Sequence, residues 1–274
     1  MYLRLPKILH LELTSYCNAS CPLCLRTTLT NPTSLPASII KAACDGVRFD
    51  KVIYCGNDGD PLMARDLEDC LDYFSHTSQV IHTNGSLRPN SFWKHLGSVP
   101  NLEVVFAIDG ADPHTHAKYR VGTDFDFILS NAREFNRAGG NSVWQFIVFE
   151  HNIHQINQAR ALAKQNGFSQ FELRYSRRPD VGEIKAIRVY KNKPTDSIVC
   201  MAAQQQKIYV RADGEVFPCV YQGERGNDTG LNIYDRRLRD IVFDPYFDSF
   251  NFNNPICLTN CKEGIRNHHE RTSF

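Results

Sequence analysis

No apolar run in this 274-residue chain approaches the roughly 20 residues that a membrane-spanning helix needs. The opening MYLRLPKILHLELT interleaves charges where a secretory leader would carry an unbroken apolar core. A cytoplasmic protein with no membrane partner is therefore expected. An excess of either charge is also missing, since 31 Lys plus Arg face 30 Asp plus Glu. With no basic track to attract a polyanion, nucleic acid is not expected as a partner. Internal repeats and low-complexity tracts are absent too, so neither a repeat array nor a biased tail is anticipated.

Cysteine, by contrast, is plentiful, with ten residues in all. Thiols stay reduced in the cytoplasm, so disulfides are a poor explanation and metal or redox chemistry a better one.

Apolar runs rich in β-branched and aromatic residues recur at 8–14, 51–55, 78–83, 102–108, 143–149 and 170–176. Between them, 63–75, 125–138 and 154–166 place apolar residues three or four apart, with Gly139 and Gly167 as stop signals. The alternation predicts an α/β fold with a parallel sheet, as a partial (β/α)6 TIM-like barrel or an open doubly wound sheet. Regularity fades in the polar stretch RRPDVGEIKAIRVYKNKPTD, which reads as a connection to a smaller C-terminal part. There QKIYV and EVFPC flank RADG, a predicted β-hairpin with Gly214 at its turn, and 235–243 resembles a short helix.

Cys17, Cys21 and Cys24 occupy CNASCPLC directly after the first strand, so three thiolates converge in one loop and leave one coordination position of a metal centre open. A zinc staple completed by a ligand elsewhere, such as His10, is the plain alternative. Cys200 and Cys219 bracket the hairpin and Cys257 and Cys261 form CLTNC, four thiols able to close a second cluster or a structural zinc site. Cys44, Cys55 and Cys70 read as small buried residues, although Cys55 adjoins the turn YCGNDGDP.

The spacing CxxxCxxC after the first strand of a βα array resembles the radical S-adenosylmethionine superfamily. That resemblance implies a four-iron, four-sulfur cluster on Cys17, Cys21 and Cys24, whose open iron is chelated by S-adenosylmethionine. It further implies reductive cleavage of the sulfonium to a 5′-deoxyadenosyl radical that abstracts substrate hydrogen. Leu23 stands where relatives often carry an aromatic residue near the adenine, and aliphatic packing can substitute. Gly59, Asp60 and Pro61 match the last three positions of the family's Gly-Gly-Glu-Pro element, with Asp for Glu, which receives the methionine ammonium. Asp109 and Arg120, in FAIDGADPHTHAKYR, correspond to ribose or carboxylate contacts, while Ala107 stands where Ser is common. Without the resemblance these three polar residues read as an acidic turn, a turn residue and a solvated cation.

Glu172, Arg174 and Ser176 alternate with apolar neighbours on the sixth strand, and Arg174 is the best candidate there for a catalytic or anion-anchoring role, with Glu150 a weaker one. ADGEVFPC resembles the SPASM extension in its short Twitch form, which implies one auxiliary four-iron, four-sulfur cluster on Cys200, Cys219, Cys257 and Cys261. The expected organisation is a radical-generating barrel over 1–180 and an auxiliary-cluster extension over 181–274. Dehydrogenation of a small molecule is the first expectation, with a peptide or protein substrate close behind, then RNA, and a non-catalytic zinc-stapled binding protein as the rival class. A flavodoxin or ferredoxin is the expected electron donor.

Overall fold

Strands and helices alternate from the first apolar run onward in the computed structural model, which describes residues 5–55, 57–176, 178–188, 200–224, 228–248, 254–258, 261 and 269–274. The strands are β1 Ile8–Leu11, β2 Lys51–Tyr54, β3 Ser78–Thr83, β4 Leu102–Ala107, β5 Asn141–Val148, β6 Gln170–Tyr175, β7 Lys207–Val210, β8 Val216–Phe217 and β9 His269–Ser273. The helices are α1 Ala37–Cys44, α2 Leu67–Tyr73, α3 Asn90–Leu96, α4 Pro113–Tyr119, α5 Phe125–Arg137, α6 Ile156–Gln165, α7 Met201–Gln204, α8 Leu238–Ile241, α9 Pro245–Asp248 and α10 Pro255–Cys257. The expected α/β class is present, as a mostly parallel sheet of nine strands that does not close into a ring. No helix among the described residues is long and apolar enough to cross a membrane.

The chain divides into two compact units, each assembled from separated segments. The first comprises Met1–Tyr16, Leu29–Gln79 and Tyr190–Ile265. Within it β1 is flanked by parallel partners on both sides, Ile8 aligning with Lys51 of β2 and with Lys207 of β7. These strands are short apolar runs, and Leu9, Val52, Tyr54, Ile208 and Tyr209 are fully buried. The predicted hairpin forms between β7 and β8, with Tyr209 opposite Phe217, and its turn residue Gly214 has φ +86°. Its first strand pairs with β1.

The second unit comprises Cys17–Thr28, Val80–Val189 and Arg266–Phe274. Here β4, β5 and β6 run parallel in register, with Val105 beside Val143 and Trp144 beside Phe171, and β9 closes the edge antiparallel to β6. Trp93, Phe106, Phe135, Trp144, Phe146 and Phe171 form a fully buried aromatic core. Such side chains stabilise by about 1.5–3 kcal/mol each when removed from water. The two indoles keep their N–H groups satisfied, Trp93 donating to the Leu87 carbonyl and Trp144 to the Ile108 carbonyl, both at 2.9 Å. Helix α5 starts where the Asp124 carboxylate accepts from the Phe127 amide at 3.0 Å and stops before Gly139, whose φ is +98°.

Of the predicted helices, 125–138 and 154–166 match α5 and α6 closely, whereas 63–75 is shorter, since Pro61–Met63 forms a single tight turn before α2. Gly56 and part of the polar connection, residue 177 and 189–196, lie outside the described residues, as do 197–199.

Candidate functional site

In the second unit the loop after β1 gathers its three cysteines around one apolar group. Cys21 and Leu23 are buried with Ala19, Tyr119, Phe149, Ile184 and Ala186, and the half-buried Cys17 and Cys24 pack against that group. Tyr119 and Phe149 meet at 4.4 Å between ring centroids, forming its aromatic wall. The loop is held from several sides. Ser20 donates to the Val121 carbonyl at 2.8 Å, the Arg178 guanidinium to the Leu23 carbonyl at 2.6 Å, and Arg26 to the Ala19 carbonyl. N–H donors also point at sulfur: the Ala19 amide lies 3.4 Å from Cys17 Sγ, Asn84 Nδ2 3.8 Å from the same atom, and Arg120 Nη1 4.0 Å from Cys21 Sγ. Burial pushes the Cys21 thiol up, and the Arg120 charge is the strongest influence pulling it down.

Asp109 and Arg120, separated by 11 residues, are brought together as an ion pair, Arg120 Nε lying 2.6 Å from Asp109 Oδ2. Asp109 has no solvent exposure, and its Oδ1 accepts from the Ile147 amide at 2.6 Å. Burial pushes the Asp109 carboxyl up, opposed by the guanidinium and that amide. The Asp109 amide donates to His116 Nδ1 at 3.2 Å, so the imidazole proton sits on Nε2, which lies 2.9 Å from Thr123 Oγ1. Burial and then the Arg120 charge lower His116 to about 3, so it is neutral near pH 7. Both oxygens of Asp109 are thus engaged within the protein, and the guanidinium is the member of the pair turned toward the cysteine loop.

Arg174 is paired with Glu172, Nε to Oε1 at 2.6 Å, and Glu172 is shared with Arg271 at 2.6 Å. Glu172 is buried, whereas Glu150 is exposed.

In the first unit the turn after β2 is clamped onto β1 and its extension. The Cys55 amide donates to the Leu11 carbonyl at 3.2 Å, and the Asp60 amide donates to the Tyr16 carbonyl at 2.9 Å. A Cβ on Gly59 would lie 1.7 Å from the Thr14 carbonyl oxygen, so this glycine serves a close backbone approach, and its φ lies outside the left-handed region. Asp60 is buried, with Oδ1 accepting from the Leu62 amide at 3.0 Å. Sequence reasoning missed Glu12, which is buried beneath the same turn, with Oε2 accepting from the Asn57 amide at 2.9 Å and from the Tyr209 hydroxyl. His10 Nε2 lies 3.3 Å from Cys55 Sγ. Cys44 and Cys70 are buried, and burial pushes both thiols up to about 12, consistent with inert packing residues.

Three of the later cysteines, Cys200, Cys219 and Cys257, lie within electrostatic reach of one another in the first unit. Cys200 caps α7, its sulfur 3.5 Å from the Ala203 amide, and Cys257 Sγ lies 3.3 Å from both Gln222 Nε2 and Asn254 Nδ2. Burial pushes the Cys219 thiol up to about 12, with Cys200 and Cys257 near enough to add to the rise. Cys261 is half-buried. Gln222 and Asn254 were not anticipated, although Asn-Pro ahead of Cys257 is a helix-start signal.

Among the described residues, no three His, Cys, Asp or Glu side chains meet closely enough to hold a single metal ion. Three thiols in one loop, each lining an apolar group supplied with N–H donors, are a donor set suited to a four-iron, four-sulfur cluster.

No protein-family model matches this sequence, and no curated protein matches it. Solved structures do. SuiB of Streptococcus suis, determined bound to S-adenosylmethionine, superposes with a TM-score of 0.70 at 17% identity, over 93% of this chain and 70% of that one. Native anSMEcpe with bound AdoMet and the Cp18Cys peptide gives 0.63 at 14% identity, over 95% and 84%. BtrN in complex with AdoMet and 2-DOIA gives 0.57 at 14% identity, over 95% and 89%. The chain shares their fold.

Proposed function

We propose that this chain is a radical S-adenosylmethionine enzyme. The observation that carries the reading is the CxxxCxxC loop: its cysteines line one apolar group after the first parallel strand, on a fold shared with proteins solved with S-adenosylmethionine. Cys17, Cys21 and Cys24 would hold a four-iron, four-sulfur cluster. When bound and reduced, that cluster supplies the electron that breaks the sulfonium of S-adenosylmethionine, giving a 5′-deoxyadenosyl radical that takes hydrogen from the substrate.

The chain's own residues then have separable tasks. Tyr119, Phe149 and Ile184 exclude water from the cysteine loop, which protects a reactive species from quenching. Leu23 packs on the adenine side. Arg120, fixed by Asp109, retains N–H donors for an anionic or hydroxyl group of the cosubstrate, and Asp60 is proposed, from its match to the family's turn after the second strand, to receive the methionine ammonium. Arg174 is permanently cationic and anchors an anionic substrate group better than it would transfer a proton.

Residues 1–180 are proposed as the radical-generating part and 181–274 as a Twitch-like extension in which Cys200, Cys219, Cys257 and Cys261 hold one auxiliary four-iron, four-sulfur cluster. Such a centre would supply an electron acceptor, which suits net dehydrogenation of a small molecule. A peptide substrate is the second reading, favoured by the Cp18Cys peptide in the anSMEcpe complex. A flavodoxin or ferredoxin would supply the reducing electron.

Anaerobic reconstitution with iron and sulfide, then reduction with S-adenosylmethionine and assay for 5′-deoxyadenosine, tests the reading. Cleavage is expected in the wild type, a fall to background in Cys17→Ala, and partial cleavage in Cys219→Ala. Protein that takes up only zinc and leaves S-adenosylmethionine intact would refute it.

A further inference from the structure

We infer that the buried Asp109–Arg120 pair is an electrostatic lever on the cysteine loop, which sets the reduction potential of an iron–sulfur centre held by Cys21. The inference rests on the proposed function, and its test separates the two. Arg120 Nη1 lies 4.0 Å from Cys21 Sγ, while Nε is locked to Asp109 Oδ2 at 2.6 Å. The lock has its own supports. Asp109 Oδ1 accepts from the Ile147 amide at 2.6 Å, and the Asp109 carbonyl accepts from Asn152 Nδ2 at 3.1 Å. The guanidinium also lies over the Tyr119 ring, 5.2 Å from its centroid, so its plane is held on two sides.

Adding an electron to the centre increases its negative charge. A cation fixed beside a ligating sulfur favours the reduced form and moves the potential positive, and a carboxylate on the far side of that cation opposes it. At a buried site neither charge is strongly screened by solvent. Among the ionisable groups around the pair, which include Tyr119 and Arg178, His116 is buried and contacts the pair through its Nδ1, where it accepts from the Asp109 amide. It accordingly contributes orientation and no formal charge. Arg120 and Asp109 therefore act on Cys21 with opposite signs, although each stabilises the other.

The test is a redox titration of the reconstituted full-length protein, followed by electron paramagnetic resonance. The cluster held by Cys21 is first assigned as the one whose signal changes when S-adenosylmethionine is added, and is then titrated without it. Arg120→Met is expected to move the midpoint negative and Asp109→Asn to move it positive, with Arg120→Lys between Arg120→Met and the wild type. If Arg120→Met does not load iron, Asp109→Asn and Arg120→Lys carry the comparison. Midpoints that stay unchanged, or that move the same way in the Arg120 and Asp109 variants as general loosening of the loop would cause, overturn the inference while leaving the proposed function standing. A wild type that assembles no iron–sulfur chromophore overturns both.

Discussion

Glu12→Gln isolates one proton in the first unit. Glu12 is 1% exposed, and its Oε2 accepts from the Tyr209 hydroxyl and the Asn57 amide while Oε1 is enclosed with no hydrogen-bond partner among the described residues. Burial outweighs those two bonds, and the nearby Asp58 charge adds to it, so the carboxyl is pushed from 4.5 to about 8. Between those values the unfolded chain is ionised and the native chain keeps its proton, so stability is fully present below pH 4.5 and is lost as pH rises toward 8. At about 1.36 kcal/mol per pH unit the whole gap approaches 5 kcal/mol, and the part falling between pH 5 and 8 is on the order of 3–4 kcal/mol. Glutamine matches the neutral acid in shape, its carbonyl accepting from the same two donors, and does not titrate. Urea denaturation at pH 5, 6, 7 and 8, on wild type and Glu12→Gln with matched metal content, should show the wild type losing that amount relative to the variant. Parallel pH dependences in the two proteins would show that Glu12 is ionised in the native state and refute the reasoning.

Gly59→Ala forces a Cβ to within 1.7 Å of the Thr14 carbonyl oxygen, an atom that cannot rotate away. The turn must shift, at a cost of about 3 kcal/mol or more, and an unchanged melting temperature would contradict the close approach. Arg271→Ala removes the partner of Glu172 Oε2 at 2.6 Å and of Glu103 Oε1 at 3.2 Å. Because Arg271 is 40% exposed and Glu172 keeps Arg174, the expected loss is about 1–2 kcal/mol, read as faster amide hydrogen exchange at 270–273.

Much of the fold was legible because its strands are local apolar runs. ILHL, KVIY and LEVVFA carry their burial in their own composition, as do α5 and α6 in their periodicity. Other elements carry too little. Helices α1, α3 and α4 have only 7 or 8 residues and start at or just after a proline, Pro36, Pro89 and Pro113, so each carries too little periodicity to stand out. Strand β9 reads HERTS, with no apolar face, and becomes a strand only because β6 offers an edge to pair with. The partnership of β7 with β1 joins residues about 200 apart, and no local pattern announces it.

The site divides along the same line. Cys17, Cys21 and Cys24 are readable as a group because they lie within eight residues, and their spacing alone brings the sulfurs to one loop. What surrounds them comes from elsewhere in the chain: Asn84, Tyr119, Arg120, Phe149 and Arg178 reach the loop from four later segments. Glu172 shows how topology alters a correct local reading. Alternation along β6 places it with Arg174 on one polar face, which suggested a site; yet Arg271, 99 residues further on, enters with β9 and takes the second carboxylate oxygen. A charge that looks available in one strand is therefore satisfied by another, and Arg174, sharing its carboxylate, retains more donor capacity for a ligand than a lone Glu172–Arg174 pair would leave it.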